Sequence, residues 1–398
     1  MDNVPPSSLI AVACGGTGGH LFPGMALAEE LGSRGSDLML LVSAKDIDQQ
    51  AARSIWGMRV ETLPGVGLER RGWLRFLRGL RNSYRLSLAL FRERPPAAVI
   101  AMGGFTSVGP VLAGKRIGAA TFIHEANAIP GRANRWLAHL VEEAFVYFPD
   151  AAGRLWNQQV RVSGMPVRSQ FTALEPASCR VALGLDADRP TLLVTGGSQG
   201  ATPLNDRVLG MVPGLLADQA AWQFIHLTGV KDEDRVRAAY ATLGARALVR
   251  PFLTEMELAL GAATLAISRA GASSLAEQAA MRVPTLLVPL PHAVDNHQTY
   301  NARAFFASGA ASVLAQADAT PGRLLAEVRN LIFDTTRYHG MKTALRQWHS
   351  GDAAKGIADV ILRRVAARPA RGQSAGPPPG PTVGGRLGYP GVKAADKA

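Results

Sequence analysis

The feature that most constrains this chain occurs twice. An apolar run, Leu9 to Ala13, ends at Gly15-Gly16-Thr17-Gly18-Gly19-His20, and a helical pattern follows from Pro23 to Leu31. Roughly 180 residues later, Thr191 to Thr195 ends at Gly196-Gly197-Ser198-Gln199-Gly200, again ahead of a helical pattern. Strand, glycine-rich turn, helix is the opening of a βαβ unit, whose crossover demands a parallel sheet covered on both faces. Two such openings predict an α/β protein of two Rossmann-like domains, with parallel sheets facing across a cleft. The copies share architecture and little sequence.

Further short apolar runs fit this scheme. Leu38 to Val42, Ala97 to Ala101 and Thr121 to His124 read as strands of the first domain. Trp222 to Thr228, Leu265 to Ser268 and Thr285 to Pro289 read as strands of the second. The first domain is expected over 8–166, completed by a returning stretch at about 346–366, and the second over 167–345. Residues 367–398, dominated by Pro, Gly, Ala and basic side chains, read as a disordered tail.

With 398 residues, 47% hydrophobic and 19% charged, the chain can fill two cores. Its net charge of +12, carried mostly by Arg, calls for an anionic partner. No zinc-finger, RNP or basic-zipper pattern accompanies the charge, so nucleic acid is not the expected partner. Cys14 and Cys179 are too few for a metal cluster or disulfide framework and read as buried thiols. Met1 to Ser8 lacks the basic and apolar regions of a signal peptide. Gly103, Gly104, Gly109 and Pro110 break the stretch Pro95 to Gly114 into strand, loop and helix start, not a membrane span. These features imply a cytoplasmic protein whose membrane contact is peripheral.

The glycine turns suit phosphate. Glycine lets ligand atoms approach the backbone, and a helix N-terminus offers free N–H groups and a positive dipole end. No Gly-Lys-Ser/Thr follows, so neither turn is a P-loop, and the dinucleotide fingerprint is incomplete. In the second turn Ser198 and Gln199 can add side-chain hydrogen bonds. A third segment, Ser268 to Glu277, again leads from strand to helix, with small residues Ala270 to Ser274 opening the helix start. Glu277 lies far enough along to accept the hydroxyls of a ribose, or to be a solvated helix charge. His20, at a positive helix end, reads either as a neutral general base or as a phosphate-contacting or structural residue.

Polar residues also follow two strands. His124-Glu125-Ala126-Asn127 and Pro291 to Gln298 occupy the carboxyl ends where open α/β sheets bind ligands. His292, Asp295 and His297 sit too close in one loop to form a good metal cage, so no metal and no cofactor are expected. Residues 69–85 form a different element, a basic amphipathic helix. Trp73, Leu77, Leu80, Tyr84 and Leu88 make one stripe, and Arg71, Arg75, Arg78 and Arg85 another. It reads as a packed surface helix or as an attachment to anionic lipid, with Arg71, Trp73, Arg75, Phe76 and Arg78 in contact.

Taken together these segments resemble the MurG family. The resemblance rests on GGTGGH at Gly15 to His20, GGF at Gly103 to Phe105, HEANAIPGRANR at His124 to Arg135 and GMPVR at Gly164 to Arg168. It continues with GGSQGA at Gly196 to Ala201, SRAGASSLAE at Ser268 to Glu277 and PHAVDNHQTYNA at Pro291 to Ala302. The motifs run in family order over roughly residues 8–365. The resemblance implies a GT-B fold and an inverting, metal-independent enzyme at the cytoplasmic face of the inner membrane. That enzyme moves N-acetylglucosamine from UDP-N-acetylglucosamine to the 4-hydroxyl of N-acetylmuramoyl in lipid I. The product, lipid II, serves peptidoglycan synthesis, cell shape and division.

By motif, the family's roles fall on Arg168 and Ser198 for the donor phosphates and on Ala272, Ser273 and Ser274 for the nucleotide and diphosphate. Glu277 falls on the ribose, His297 and Gln298 on the sugar, Leu253 on uracil through its backbone, and Asn127 on the sugar from the first domain. Thr17, Gly18 and Gly19 fall among the residues that bind UDP-N-acetylglucosamine, in a first glycine turn that also serves the acceptor, with His20 or Glu125 as base. Ala126, Met165, Leu253 and Ala270 depart from the family's usual Gln, Asn, Ile and Ser. Two other readings share parts of the pattern: a UDP-N-acetylglucosamine 2-epimerase, and a non-catalytic protein of the membrane surface.

Overall fold

The computed structural model describes residues 8–15, 18–43, 58–64, 73–197, 199–218 and 221–368, with the side chain of Trp73 excepted. Thr17, Arg71, Ser198 and the tail from residue 369 onward lie outside these. Two parallel sheets organise the chain. The first has strands β1 (Leu9–Ala13), β2 (Asp37–Ser43), β3 (Arg59–Leu63), β4 (Ala98–Ala101), β5 (Ala120–Glu125), β6 (Glu143–Val146) and β7 (Val160–Val162). Their spatial order is β3-β2-β1-β4-β5-β6-β7. The second has β8 (Thr191–Thr195), β9 (Gln223–Leu227), β10 (Ala247–Arg250), β11 (Leu265–Ser268), β12 (Thr285–Leu287) and β13 (Ser312–Val313), ordered β10-β9-β8-β11-β12-β13. Every pairing between these strands is parallel.

In each sheet the strand order reverses beside the first strand, between β1 and β4 and between β8 and β11. Helices after these strands leave to opposite faces, which opens a crevice at the strands' carboxyl ends. Both predicted glycine turns end the strands that flank a reversal point. The physical reason for the strands themselves is burial: β1, β8 and β11 are buried at every position. An apolar run covered on both faces has no other stable use in a sheet of this kind.

Helix α1 (Gly18–Ser33) follows β1, and α2 (Trp73–Glu93), α3 (Val108–Arg116), α4 (Arg132–Ala138) and α5 (Pro149–Ala152) follow in the first half. Helices α6 (Pro176–Ala182), α7 (Thr202–Asp218), α8 (Glu233–Thr242), α9 (Met256–Ala262), α10 (Ala272–Met281), α11 (His297–Ala307), α12 (Pro321–Phe333) and α13 (Thr335–Leu345) cover the second. The last helix, α14 (Ala353–Ala366), returns to the first sheet. Ile357, Val360, Ile361 and Val365 share a buried cluster with Ile10, Val12, Leu27 and Ile100. No helix among the described residues is long and apolar enough to cross a membrane.

Two crossings of the chain join the domains. At one, His124 Nε2 donates to the carbonyl of Gly164 at 3.0 Å, and burial holds this imidazole neutral by lowering its pKa to about 4. At the other, Trp348 stacks on Phe305 at 4.4 Å and packs against Phe148 and Tyr147, whose hydroxyl donates to the Trp348 carbonyl. These aromatics belong to one cluster that draws on both domains.

Candidate active site

The first glycine turn and its helix contain a proline that explains a contact between domains. Helix α1 begins at Gly18, not at Pro23 as the sequence suggests, so Pro23 lies inside it. Proline has no N–H to donate to the carbonyl four residues back, which is that of Gly19. The hydroxyl of Ser273, at the start of α10 in the second domain, donates to this carbonyl at 2.9 Å. A backbone group released by one residue is thus taken up across the cleft by another.

His20 comes from the same turn. Its imidazole lies against the loop after β4: a Cβ added to Gly103 would sit 2.8 Å from His20 Nε2, and one added to Gly104 would sit 3.5 Å from Nδ1. Gly103 has φ +121° and Gly104 φ +75°. The GGF segment therefore serves the imidazole by making room for it, in a backbone conformation side chains disfavour.

Glu125 ends β5 and is 3% exposed. Its Oε1 accepts from the Asn127 backbone N–H at 2.9 Å and from Asn127 Nδ2 at 3.2 Å. Its Oε2 accepts from the Gly131 N–H and from Asn134 Nδ2, both at 2.9 Å. Burial raises the pKa of this carboxyl, and the four donors act against that rise. Such a group organises the loop 126–131. Asn127, so held, turns Oδ1 toward the Nδ2 of Asn301 in the second domain, at 3.1 Å.

Across the cleft, Arg168 lies just after the crossing at Gly164. Its guanidinium carbon lies 4.7 Å from the Phe22 ring centroid and 4.9 Å from that of Phe171, an arrangement worth about 1 kcal/mol or more when desolvated. Its Nη2 is 3.7 Å from Glu277 Oε1, while its buried Nε has no hydrogen-bond partner among the described residues. Burial raises the pKa of Glu277 to about 7, with Arg168 pulling it down. Phe22, Pro23, Met165, Arg168, Ser273 and Glu277 line a shared pocket between the domains. Phe22 falls between the GGTGGH motif and the helical pattern expected from Pro23, so no signal in the sequence marks it.

Of the predicted donor residues this lining takes in Arg168, Ser273 and Glu277, and not Ala272, Ser274, Gln298, His297 or Leu253. Ala272 is buried and Ser274 partly exposed in the first turn of α10. Gln298 Oε1 accepts from the N–H groups of Ala270 at 3.2 Å and Leu290 at 3.0 Å, so its oxygen is occupied by backbone. His297 Nδ1 donates to Val294 O at 2.7 Å, which turns Nε2 to the other side of the ring. Asp295 pairs with Arg132 and Arg135 of the first domain at 3.4 and 3.1 Å, and no group of three metal-ligating side chains forms among the described residues. Leu253 is half-buried against the core under β8 to β11. Ala126, Met165 and Ala270, three of the departures from the family pattern, are buried in the single cluster that joins the domains. Apolar side chains there need no partner, whereas the polar ones would.

Helix α2 behaves differently from its predicted stripes. Leu77 is 46% exposed and Leu74 58% exposed, beside exposed Arg75, Arg78, Arg81 and Arg85. Phe76 instead turns inward, with its ring edge-on to Phe105 at 5.0 Å. The inner face is Leu80, Ser83, Tyr84, Ser87 and Leu88, and Gly109 of α3 admits Ser83 closely. Among the described side chains the exposed large apolar ones of α2 are therefore Leu74, Leu77 and Leu86, while Phe76 is half-buried.

Facing parallel-sheet domains, with glycine turns at both reversal points and a pocket between them, are the architecture of the GT-B fold, and the family matches make this one a glycosyltransferase. The glycosyltransferase family 28 N-terminal domain matches residues 10–146, and the family 28 C-terminal domain matches residues 191–360. A relative from Anaeromyxobacter sp. (strain Fw109-5) is 36% identical over 90% of this chain and 93% of its own. One from Listeria monocytogenes serotype 4a (strain HCC23) is 30% identical over 89% of this chain and 98% of its own. Both are named UDP-N-acetylglucosamine--N-acetylmuramyl-(pentapeptide) pyrophosphoryl-undecaprenol N-acetylglucosamine transferase. The crystal structure of Acinetobacter baumannii MurG superposes with a TM-score of 0.70 at 25% identity, covering 90% of this chain and 100% of that one. A UDP-GlcNAc 2-epimerase from Neisseria meningitidis, at 13% identity and a TM-score of 0.65 over 90% of this chain and 100% of that one, shares the fold alone. The chain belongs to glycosyltransferase family 28 and, within it, to the MurG family of N-acetylglucosamine transferases.

Proposed function

We propose that this enzyme transfers N-acetylglucosamine from UDP-N-acetylglucosamine to the 4-hydroxyl of the N-acetylmuramoyl sugar in lipid I, with inversion and without a metal, to give lipid II. The observation that carries the reading is the contact of Ser273 with Gly19, which sets the His20 turn against the start of α10. A donor bound at α10 then presents its anomeric carbon to the turn that holds the base. The acceptor hydroxyl attacks from the face opposite the diphosphate, its oxygen forms the new glycosidic bond, and UDP leaves. His20 takes the hydroxyl proton. Glu125 is the weaker candidate because its oxygens are occupied, by three hydrogen bonds from the loop and one from Asn134 of α4.

Charge grows on the diphosphate as the bond breaks. The start of α10, with Ala272, Ser273 and Ser274, and the second glycine turn with Ser198 meet it with N–H and O–H donors. Arg168 supports the same role through its buried Nε. Glu277 accepts the ribose hydroxyls, Leu253 offers backbone to uracil, and Gln298, His297 and Asn127 face the sugar. Thr17, Gly18 and Gly19 bind UDP-N-acetylglucosamine on the first-domain side. The outer face of α2, with Arg75, Arg78 and Leu77, rests on the anionic inner leaflet where the acceptor resides, and Arg71 and Trp73 contact the same leaflet.

The test follows labelled N-acetylglucosamine from its UDP donor to a short-chain lipid I analogue with EDTA present. Transfer is the expected result. Formation of UDP and N-acetylmannosamine in its place would move the chain to epimerase chemistry.

A further inference from the structure

We propose that Asn301 is a positioning residue that couples donor occupancy in the second domain to the geometry of the acceptor-side loop 126–131. The proposal rests on the donor site proposed above. Asn301 lies on α11 and is 0% exposed. Its Nδ2 donates to Asn127 Oδ1 and to the Ala270 carbonyl, both at 3.1 Å. Its Oδ1 accepts from the Ala128 backbone N–H at 2.8 Å. One buried amide thus holds two points of the first-domain loop and one point of the turn that starts α10.

The same helix grips Ala270 from its other side. Gln298, one turn earlier, accepts the Ala270 N–H at 3.2 Å, so α11 holds both polar groups of that peptide residue. At the rim, Asp295 pairs with Arg132 and Arg135, which follow the loop. The start of α11 is therefore a strut between the turn expected to bind the donor diphosphate and the loop that carries Asn127. The far end of the loop is fixed by Glu125. A ligand that settles the Ala270 turn settles Asn301, and Asn301 settles Ala128. Linkage makes the coupling reciprocal, so acceptor contacts on the loop strengthen donor binding by the same factor. Exposed ion pairs such as those of Asp295 contribute little alone, which leaves the buried amide as the principal tie.

The experiment is amide hydrogen exchange of residues 126–131 in the full chain, with and without UDP, for the wild type and N301A. In the wild type UDP should slow exchange in this segment, most directly at Ala128, at least tenfold. In N301A the effect of UDP should fall to less than twofold while UDP still binds within about threefold of wild-type affinity. Transfer measured alongside should show kcat reduced at least tenfold with donor KM nearly unchanged. N301D keeps an acceptor for Ala128 but opposes oxygen to Asn127 Oδ1 and the Ala270 carbonyl, and should lose the UDP effect as N301A does. Should neither variant fold, N301S, whose short hydroxyl cannot span Ala128, Asn127 and Ala270 together, should likewise bring the effect of UDP to less than twofold. Full UDP-dependent protection in a folded N301A, or in N301S where that variant is decisive, would overturn the proposal. So would an activity loss expressed only as a raised donor KM. Wild-type protein that binds UDP and protects the loop but transfers nothing would instead overturn the acceptor reading and leave the coupling standing.

Discussion

Arg168 Nη2 lies 3.7 Å from Glu277 Oε1, with the ring of Phe22 from the opposite domain 4.7 Å from the same guanidinium. Two residues expected to hold different parts of one nucleotide are thus neighbours, and a first-domain ring covers them. Burial dominates the ionisation of this pair's acid: a glutamate that titrates near 4.5 in the unfolded chain is pushed to about 7.

The sign of that shift yields the first prediction. Between pH 4.5 and 7 the folded protein holds a proton that the unfolded chain has released, so stability falls as pH rises through this window. Below it both states are protonated and the contribution is complete. E277Q stays neutral throughout and should lose this dependence. Urea unfolding from pH 4.5 to 8 should show the variant gaining about 1–3 kcal/mol relative to wild type across the window. UDP binding should weaken about tenfold in E277Q at pH 8, where the wild-type carboxylate accepts hydroxyls. Parallel stability curves for the two proteins would refute the assignment.

Gly103 offers a test of His20 without touching it. G103A would bring a methyl group to 2.8 Å from His20 Nε2 at φ +121°. The backbone conformation should cost about 1–3 kcal/mol of stability, seen as a lowered Tm. Displacing the imidazole should lower kcat about a hundredfold, with UDP affinity unchanged. H20A should fall at least as far, and the double variant no further than H20A. A G103A enzyme with wild-type kcat would remove His20 from the reaction.

What the sequence made legible follows burial. Leu9–Ala13, Thr191–Thr195 and Leu265–Ser268 match their strands residue for residue because central parallel strands must be continuous apolar runs. The strands that escaped notice are mostly sheet edges: Arg59–Leu63, Val160–Val162, Ala247–Arg250 and Ser312–Val313. Water on one side lets polar residues in and erases the pattern. Motifs located the residues of the site in the same way, but not their partners. That Pro23 frees a carbonyl for Ser273 depends on a contact between distant segments, and that Glu125 is occupied by Asn127, Gly131 and Asn134 depends on how the chain after β5 folds back on it. The outward turn of Leu77 and inward turn of Phe76 have a similar origin, since Phe105 supplies the ring that draws Phe76 in.

Glu125 separates two roles cleanly. E125Q replaces one carboxylate oxygen, which accepts two hydrogen bonds, with an amide that can only donate. Leaving buried donors unpaired should destabilise the protein by about 1–3 kcal/mol each, and Asn127 should lose its place. The expected outcome is a lower Tm together with a reduced kcat. A variant with wild-type Tm and abolished turnover would instead make Glu125 the base.

The last prediction concerns α2. Its outward face carries Leu74 and Leu77 among Arg75, Arg78, Arg81 and Arg85, all exposed. A basic side chain near an anionic surface contributes about 1 kcal/mol, roughly fivefold in partition. Inserting leucine adds apolar burial at about 25 cal/mol per Å². Reversing the charge at Arg75 and Arg78 should therefore reduce flotation with phosphatidylglycerol vesicles by at least about 25-fold, and the loss should shrink as salt rises. L74A with L77A should weaken binding in a way that salt does not mask, because the lost term is apolar. F76A should act through stability, by removing the ring packed on Phe105, and should leave the vesicle affinity of the folded fraction near that of wild type. Equal flotation of the Arg variant and wild type at low salt would show that this face of the helix does not meet the bilayer.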